Sequence, residues 1–127
     1  MGKIDFTLAV TPEALAEAAL LLLRDRIRAR RDRAVSAGIA VAGVTVHTDD
    51  LSQQRILGAA VAVMRDPSLV INWKTADGTF VPLDAEAVLA AADAVRAHVQ
   101  ACYDREAELL GALDAGGVID PGAGWPG

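Results

Sequence analysis

The sequence predicts an α+β domain in which long helices flank two short β-hairpins. Three observations predict it. The stretch Leu69 to Leu83, Leu-Val-Ile-Asn-Trp-Lys-Thr-Ala-Asp-Gly-Thr-Phe-Val-Pro-Leu, is two β-prone runs folded about Asp77-Gly78. Asp-Gly in such a setting is a strong hairpin signal, because a type I′ turn needs positive φ at both central residues. Val88, Ala92, Val95, Val99, Cys102, Glu106, Leu109 and Leu113 recur at alternating spacings of four and three, the seam of a long helix with one polar break at Glu106. Thr11-Pro12, Asp49-Asp50 and Asp84 stand where helices should begin, and Gly38, Pro67 and Gly116-Gly117 where they should end.

Taken in order, Ile4 to Val10 is short and β-prone, a first strand. Thr11 is placed as an N-cap, Pro12 suits the first helical position, and Glu13 complements the helix dipole. The helix is expected to run to Ala37 with Gly38 as its C′ residue. Within it, Leu20, Leu21, Leu22 and Leu23 step about 100° each and point almost all round. A single buried face cannot hide all four, so this helix is either enclosed or packed against other chains. Arg24 to Arg33 then holds six of the twelve Lys and Arg residues. One reading is a nucleic-acid patch. The plainer one is a solvated helix end that pairs with nearby acids, since Asp25 and Asp32 interrupt the run and no aromatics interleave.

Ile39 to Thr48 is a second hairpin candidate. With Ala42-Gly43 as the loop, Val41 faces Val44 and Ile39 faces Val46, which puts four apolar side chains on one side. Asp50 and Gln53 have capping-box spacing at the start of a helix over Leu51 to Arg65. Its apolar stripe is read as Ile56, Leu57, Ala60, Val61 and Met64, and Gly58 suggests close packing against a strand. A two-residue Asp77-Gly78 loop would pair Thr75 with Phe80 and Trp73 with Pro82, leaving Trp73, Thr75 and Phe80 on one face. Asp84 caps the last helix, Ala85 to Ala115. This helix is longer than the domain's own core needs, so part of it should pack on the first helix or on a copy of itself. Residues 1–115 form one domain, and 116–127 a Gly- and Pro-rich tail. In the tail Trp125 is the only large anchor, either docked back or inserted into a partner.

The 127 residues suffice for one core without metal or disulfide staples. Alanine carries much of the 53% hydrophobic content and aromatics are 4%, a thin core that favours stability borrowed from association. A net charge of −5 with pI near 4.8 argues against nucleic acid as the main ligand. The lone Cys102 excludes an internal disulfide and fits a reducing cytoplasm as the place of synthesis. No signal-peptide pattern opens the sequence, and its longest apolar run, Ala18 to Leu23, is too short for a membrane span, so the chain is expected to be soluble.

No phosphate loop, dinucleotide fingerprint or nucleophile elbow is present. His47 and His98 lack partners at metal-ligand spacing. Asp49 and Asp50 could hold a hard cation but are explained by capping, and Cys102 on the apolar seam is expected to be buried and inert. No catalytic, metal or cofactor-binding residue is assigned, no cofactor is expected, and the chain is not expected to be an enzyme. The candidate interface for self-association or a partner comprises Leu20, Leu21, Leu22, Leu23, Val88, Val95, Val99, Leu109, Leu113, Trp73 and Trp125.

From about Arg28 onward the sequence resembles a family of small domains encoded among the tail-fibre genes of tailed bacteriophages and prophages. The resemblance runs from the Arg-rich helix end into Gly38-Ile39, Gly43-Val44 and Thr48-Asp49-Asp50-Leu51-Ser52-Gln53. It continues through Ile56-Leu57-Gly58-Ala59, Trp73-Lys74, Ala76-Asp77-Gly78, Val95-Arg96-Ala97-His98 and Gly124-Trp125-Pro126. It implies a structural virion protein of the tail fibre, baseplate or tail tip, made in the host bacterial cytoplasm. Such a protein would be a homo-oligomer, trimers being common in fibres, in contact with another tail protein. The alternatives are an assembly chaperone or adaptor that leaves the fibre, and a nucleic-acid-binding protein acting through Arg24 to Arg33. No catalytic residue is implied.

Overall fold

The computed structural model describes residues 10–127. The strand expected over Ile4–Val10 lies outside them except for Val10, which is exposed and in no regular element. The elements are α1 (Pro12–Val35), β1 (Ile39–Val41), β2 (Val44–Val46), α2 (Asp50–Arg65), β3 (Ile71–Lys74), β4 (Phe80–Leu83) and α3 (Ala85–Asp114). This is the α+β layout expected, in the expected order.

The backbone of α3 is the spine. Its 30 residues span about 45 Å. The N-terminal half packs on α2 and on the inner faces of both hairpins, where Val46, Ile56, Ala59, Ala60, Val63, Val88, Ala91 and Val95 are buried together. Three of these are alanines, which lets α2 and α3 approach closely. The C-terminal half lies antiparallel to α1, as the pairs Arg24–Asp114, Arg31–Glu106 and Ala34–His98 run in opposite senses. Ile27, Leu109 and Leu113 form the core there, with Leu23, Leu110, Ile119 and Trp125 against them. The long seam of α3 is therefore covered within the chain, first by α2 and the hairpins and then by α1.

Each helix starts on a side-chain cap. Thr11 Oγ1 accepts from Ala14 N at 3.0 Å, and Asp84 Oδ1 from Ala87 N at 2.8 Å. For α2 the cap is Asp49, which accepts from the Ser52 backbone and hydroxyl, rather than Asp50. Gln53 instead donates to Thr48 O at 2.9 Å. The end of α1 is closed by two buried side chains from distant segments. Thr48 Oγ1 donates to Val35 O at 2.6 Å and accepts from Gly38 N at 2.9 Å, while His98 Nε2 donates to Ala34 O at 2.8 Å. Gly38 is required at this corner, with φ +82° and Val46 O 3.2 Å from where a Cβ would stand.

The first hairpin has the expected register, Ile39 opposite Val46 and Val41 opposite Val44, and all four pack toward the core. The second is shifted by one from expectation. Trp73 lies opposite Val81, Lys74 opposite Phe80 and Asn72 opposite Pro82. Asp77 does not take the positive φ that a type I′ turn requires. Its carboxylate instead accepts from Thr79 N and from the hydroxyls of Thr75 and Thr79. Only Gly78, at φ +89°, is left-handed, giving a three-residue loop closed by Thr75 N to Thr79 O at 2.8 Å. The shift turns Ile71, Trp73, Val81 and Leu83 inward and leaves Phe80 exposed on the opposite face from Trp73.

In α2 the buried stripe is Ile56, Ala59, Ala60 and Val63. Leu57, Val61 and Met64, expected inside, are 64%, 50% and 70% exposed. Gly58 meets no atom within contact distance of a would-be Cβ, so no strand packs against it.

Candidate functional site

The most unusual surface is the N-terminal part of α1. Every residue from Pro12 to Leu22 is exposed, because α3 ends at Asp114, level with Arg24. About three turns of helix therefore stand beyond the helix that covers the rest. Leu15, Leu21 and Leu22 are 60%, 59% and 53% exposed, and Leu20 is 38% exposed. Leu23 is the first to be half-buried, against Ile27, Leu109 and Leu113. A helical stretch this short is marginal in water without tertiary packing.

The remaining expected interface residues are placed differently. Val88, Val95, Leu109 and Leu113 are buried within the chain, so they present no surface to a partner; the cause is the coverage of α3 by α1, α2 and the hairpins. Val99 is half-buried between the two ends of the core. Trp73 packs beneath β3 on the α2–α3 core. Trp125 docks back on its own chain against the Ile27 and Cys102 regions, with Nε1 donating to Pro121 O at 2.8 Å and Arg30 over its ring at 5.6 Å. Arg105 Nε holds the tail through Ala123 O at 3.0 Å.

The arginine-rich end of α1 is largely engaged in the fold. Arg24 pairs with Asp114 at 2.6 Å, Arg28 with Asp25 at 3.6 Å, and Arg31 with Glu106 at 2.6 Å and Asp32 at 2.8 Å. The hydrogen bonds to Asp32 and Glu106 raise the Arg31 guanidinium still further above its ordinary range. The polar break in the α3 seam is thus the partner of Arg31, which also lies over Tyr103 at 5.1 Å.

His98 is a buried structural residue, bonded to Ala34 O, with Cys102 Sγ 3.7 Å from the same nitrogen. Burial pushes the Cys102 thiol up, away from the thiolate that a nucleophile needs. Among the described residues no group of three or more His, Cys, Asp or Glu is placed to hold a metal ion. No helix of the described residues is long and apolar enough to cross a membrane.

Residues 16–123 match the family described as "Domain of unknown function (DUF4376)". The chain belongs to this family. No curated protein and no solved structure matches it. The matched span begins within the uncovered part of α1 and runs through both hairpins to the tail beside Trp125. Thr48 and the Asp77 turn cluster lie inside it. Neither Thr48 nor the pairing of Glu106 with Arg31 is evident from local sequence, and the only signal is a polar residue at a position where the pattern asks for an apolar one.

Proposed function

We propose that this protein is a structural component of a bacteriophage tail, in the fibre, baseplate or tail tip, that works by association of its copies and by contact with a neighbouring tail protein. The observation that supports it is the uncovered end of α1. Leu15, Leu20, Leu21 and Leu22 are exposed on the part of α1 that α3 does not reach. Bringing such helices together around a symmetry axis would bury them and give the stretch the packing it lacks. The sequence likeness to domains encoded among tail-fibre genes supplies the context, with synthesis in the host bacterial cytoplasm and residence in the virion tail.

The same surface would serve an assembly chaperone or adaptor that docks on immature fibre and leaves. Binding of nucleic acid through Arg24 to Arg33 is less favoured, since Arg24, Arg28 and Arg31 are ion-paired within the fold and Arg30 covers Trp125.

Sedimentation of the full chain at several concentrations, combined with mass spectrometry of purified particles, tests the proposal. A mass above the monomer that falls in a Leu21→Gln/Leu22→Gln variant, with the chain present in mature particles, is the expected result. A folded monomer at every concentration, absent from particles, overturns it. Absence from particles with co-purification on immature fibre selects the chaperone instead.

A further inference from the structure

The leucines at the start of α1 sort into two faces. At about 100° per residue, Leu20 and Leu23 fall within about 40° of Ile27, the residue buried against α3. Leu23 is accordingly half-buried, and Leu20 is the least exposed of the others. Ala14, Leu15, Ala18, Leu21 and Leu22 fall about 120° or more from Ile27 and form one exposed apolar stripe, at i, i+1, i+4, i+7 and i+8. This is the pattern of a helix that faces a core, yet the stripe looks away from the helix on which α1 packs.

A groove of about 680 Å³ lies between α2 and α3, and no residue of either hairpin lines it. Ile56 and Val95 are buried at its floor, and Leu57, Met64 and Leu89 are exposed along its sides. It runs from Gln53 to Met64 on α2 and from Leu89 to Gln100 on α3, about 16 Å along each helix. The uncovered stretch of α1, Pro12 to Leu22, is also about 16 Å long. Within one subunit the two cannot meet. Arg24 is level with Asp114, so Leu22 stands about 24 Å along the axis from Gln100, the nearest groove residue, at the far end of the α1–α3 pair.

We infer that the Leu15–Leu22 stripe of one copy seats in the α2–α3 groove of a second copy, and that two antiparallel copies make this contact twice about a two-fold axis. The inference rests on the association of copies proposed above and names the surface that each α1 end meets. The binding mode is an amphipathic helix laid in a groove between two others. A two-fold pair leaves neither a stripe nor a groove open, so the assembly closes instead of growing into a filament. Area supports the pairing. The exposed leucines and methionine of one contact present on the order of 600 Å², and the doubled contact about 1,200 Å², which reaches the range of stable interfaces before the alanines and polar rim are added.

The test compares the full chain with two variants, Leu21→Gln/Leu22→Gln in the stripe and Leu57→Gln/Met64→Gln in the groove. All four side chains are exposed, so circular dichroism should be unchanged. Sedimentation should give a dimer for the wild type and raise the dissociation constant at least about tenfold in both variants. A second measurement locates the contact. Oxidation of an equimolar mixture of Ala18→Cys and Leu57→Cys chains should give mostly the mixed disulfide, Cys102 being buried. If the groove variant keeps the wild-type mass while the stripe variant dissociates, the α1 ends meet one another; this inference is overturned and association of copies stands. A preference for Ala18→Cys chains linked to each other has the same meaning. A wild type that is monomeric at every concentration removes association itself, and this inference with it.

Discussion

At Ala42 the backbone is left-handed, φ +50°, the only non-glycine among the described residues with positive φ. An L-residue with a Cβ is disfavoured there, and Gly43 beside it at φ +79° completes the tight turn. Ala42→Gly should therefore raise stability by about 0.5–1 kcal/mol, read as a higher urea midpoint at unchanged slope. Gly58 is the reverse case. It sits inside α2 with open space around it, so Gly58→Ala should stabilise by about 1 kcal/mol in the same measurement. Asp77 gives a pH signature. Hydrogen bonds from Thr75 and Thr79 hold its carboxyl at about 2, against 3.8 for the unperturbed group. The fold favours the ionised form, so its stabilisation of the loop is complete above 3.8 and is lost as pH falls through about 2. The Thr79 amide resonance should titrate in that window in the wild type and not in Asp77→Asn.

Between elements, the Arg31–Glu106 pair decides how α1 and α3 align. Their side chains are 20% and 13% exposed, so removing one leaves the other poorly solvated. Glu106→Ala should cost about 1.5–3 kcal/mol in chemical denaturation. Arg31→Met combined with Glu106→Leu should recover much of the loss, and the double-mutant cycle then gives the coupling directly. This scale also shows what could be read from sequence and what could not. The first hairpin was legible because a two-residue Ala-Gly loop leaves only one register that puts four apolar residues inside. Asp-Gly misled by one residue because the Asp77 side chain captures the Thr79 amide and converts the loop to three residues, a choice invisible to turn preference alone. The α2 stripe was legible at Ile56 and Ala60 but not at Leu57, Val61 and Met64, for a different reason. Pattern reading favours large residues, whereas close approach of α2 and α3 buries Ala59 beside Ala60 and leaves Leu57, Val61 and Met64 outside. Glu106 read as a flaw in the seam until its partner 75 residues away was placed opposite it.

For the molecule as a whole, the surplus of apolar surface is real but lies in fewer places than the α3 seam suggested. Val88, Val95, Leu109 and Leu113 are spent on the subunit's own core, and the surplus is concentrated on Pro12 to Leu22 and on the outer face of α2. The four leucines of the α1 end differ in direction, so a single flat neighbour would cover only some of them, while a closed ring of copies covers those facing its axis. Helix order there should then depend on concentration. In dilute solution the amides of Ala18 to Leu22 should exchange fast while those around Ile27 stay protected by the α1–α3 core. As concentration rises, protection should spread toward Pro12 and the thermal midpoint should climb, because association stabilises only the folded chain. Leu21→Gln/Leu22→Gln should abolish both trends and leave the Ile27 region untouched. If the Ala18 to Leu22 amides are as protected in dilute monomer as those around Ile27, the helix end supports itself and association has no work to do there.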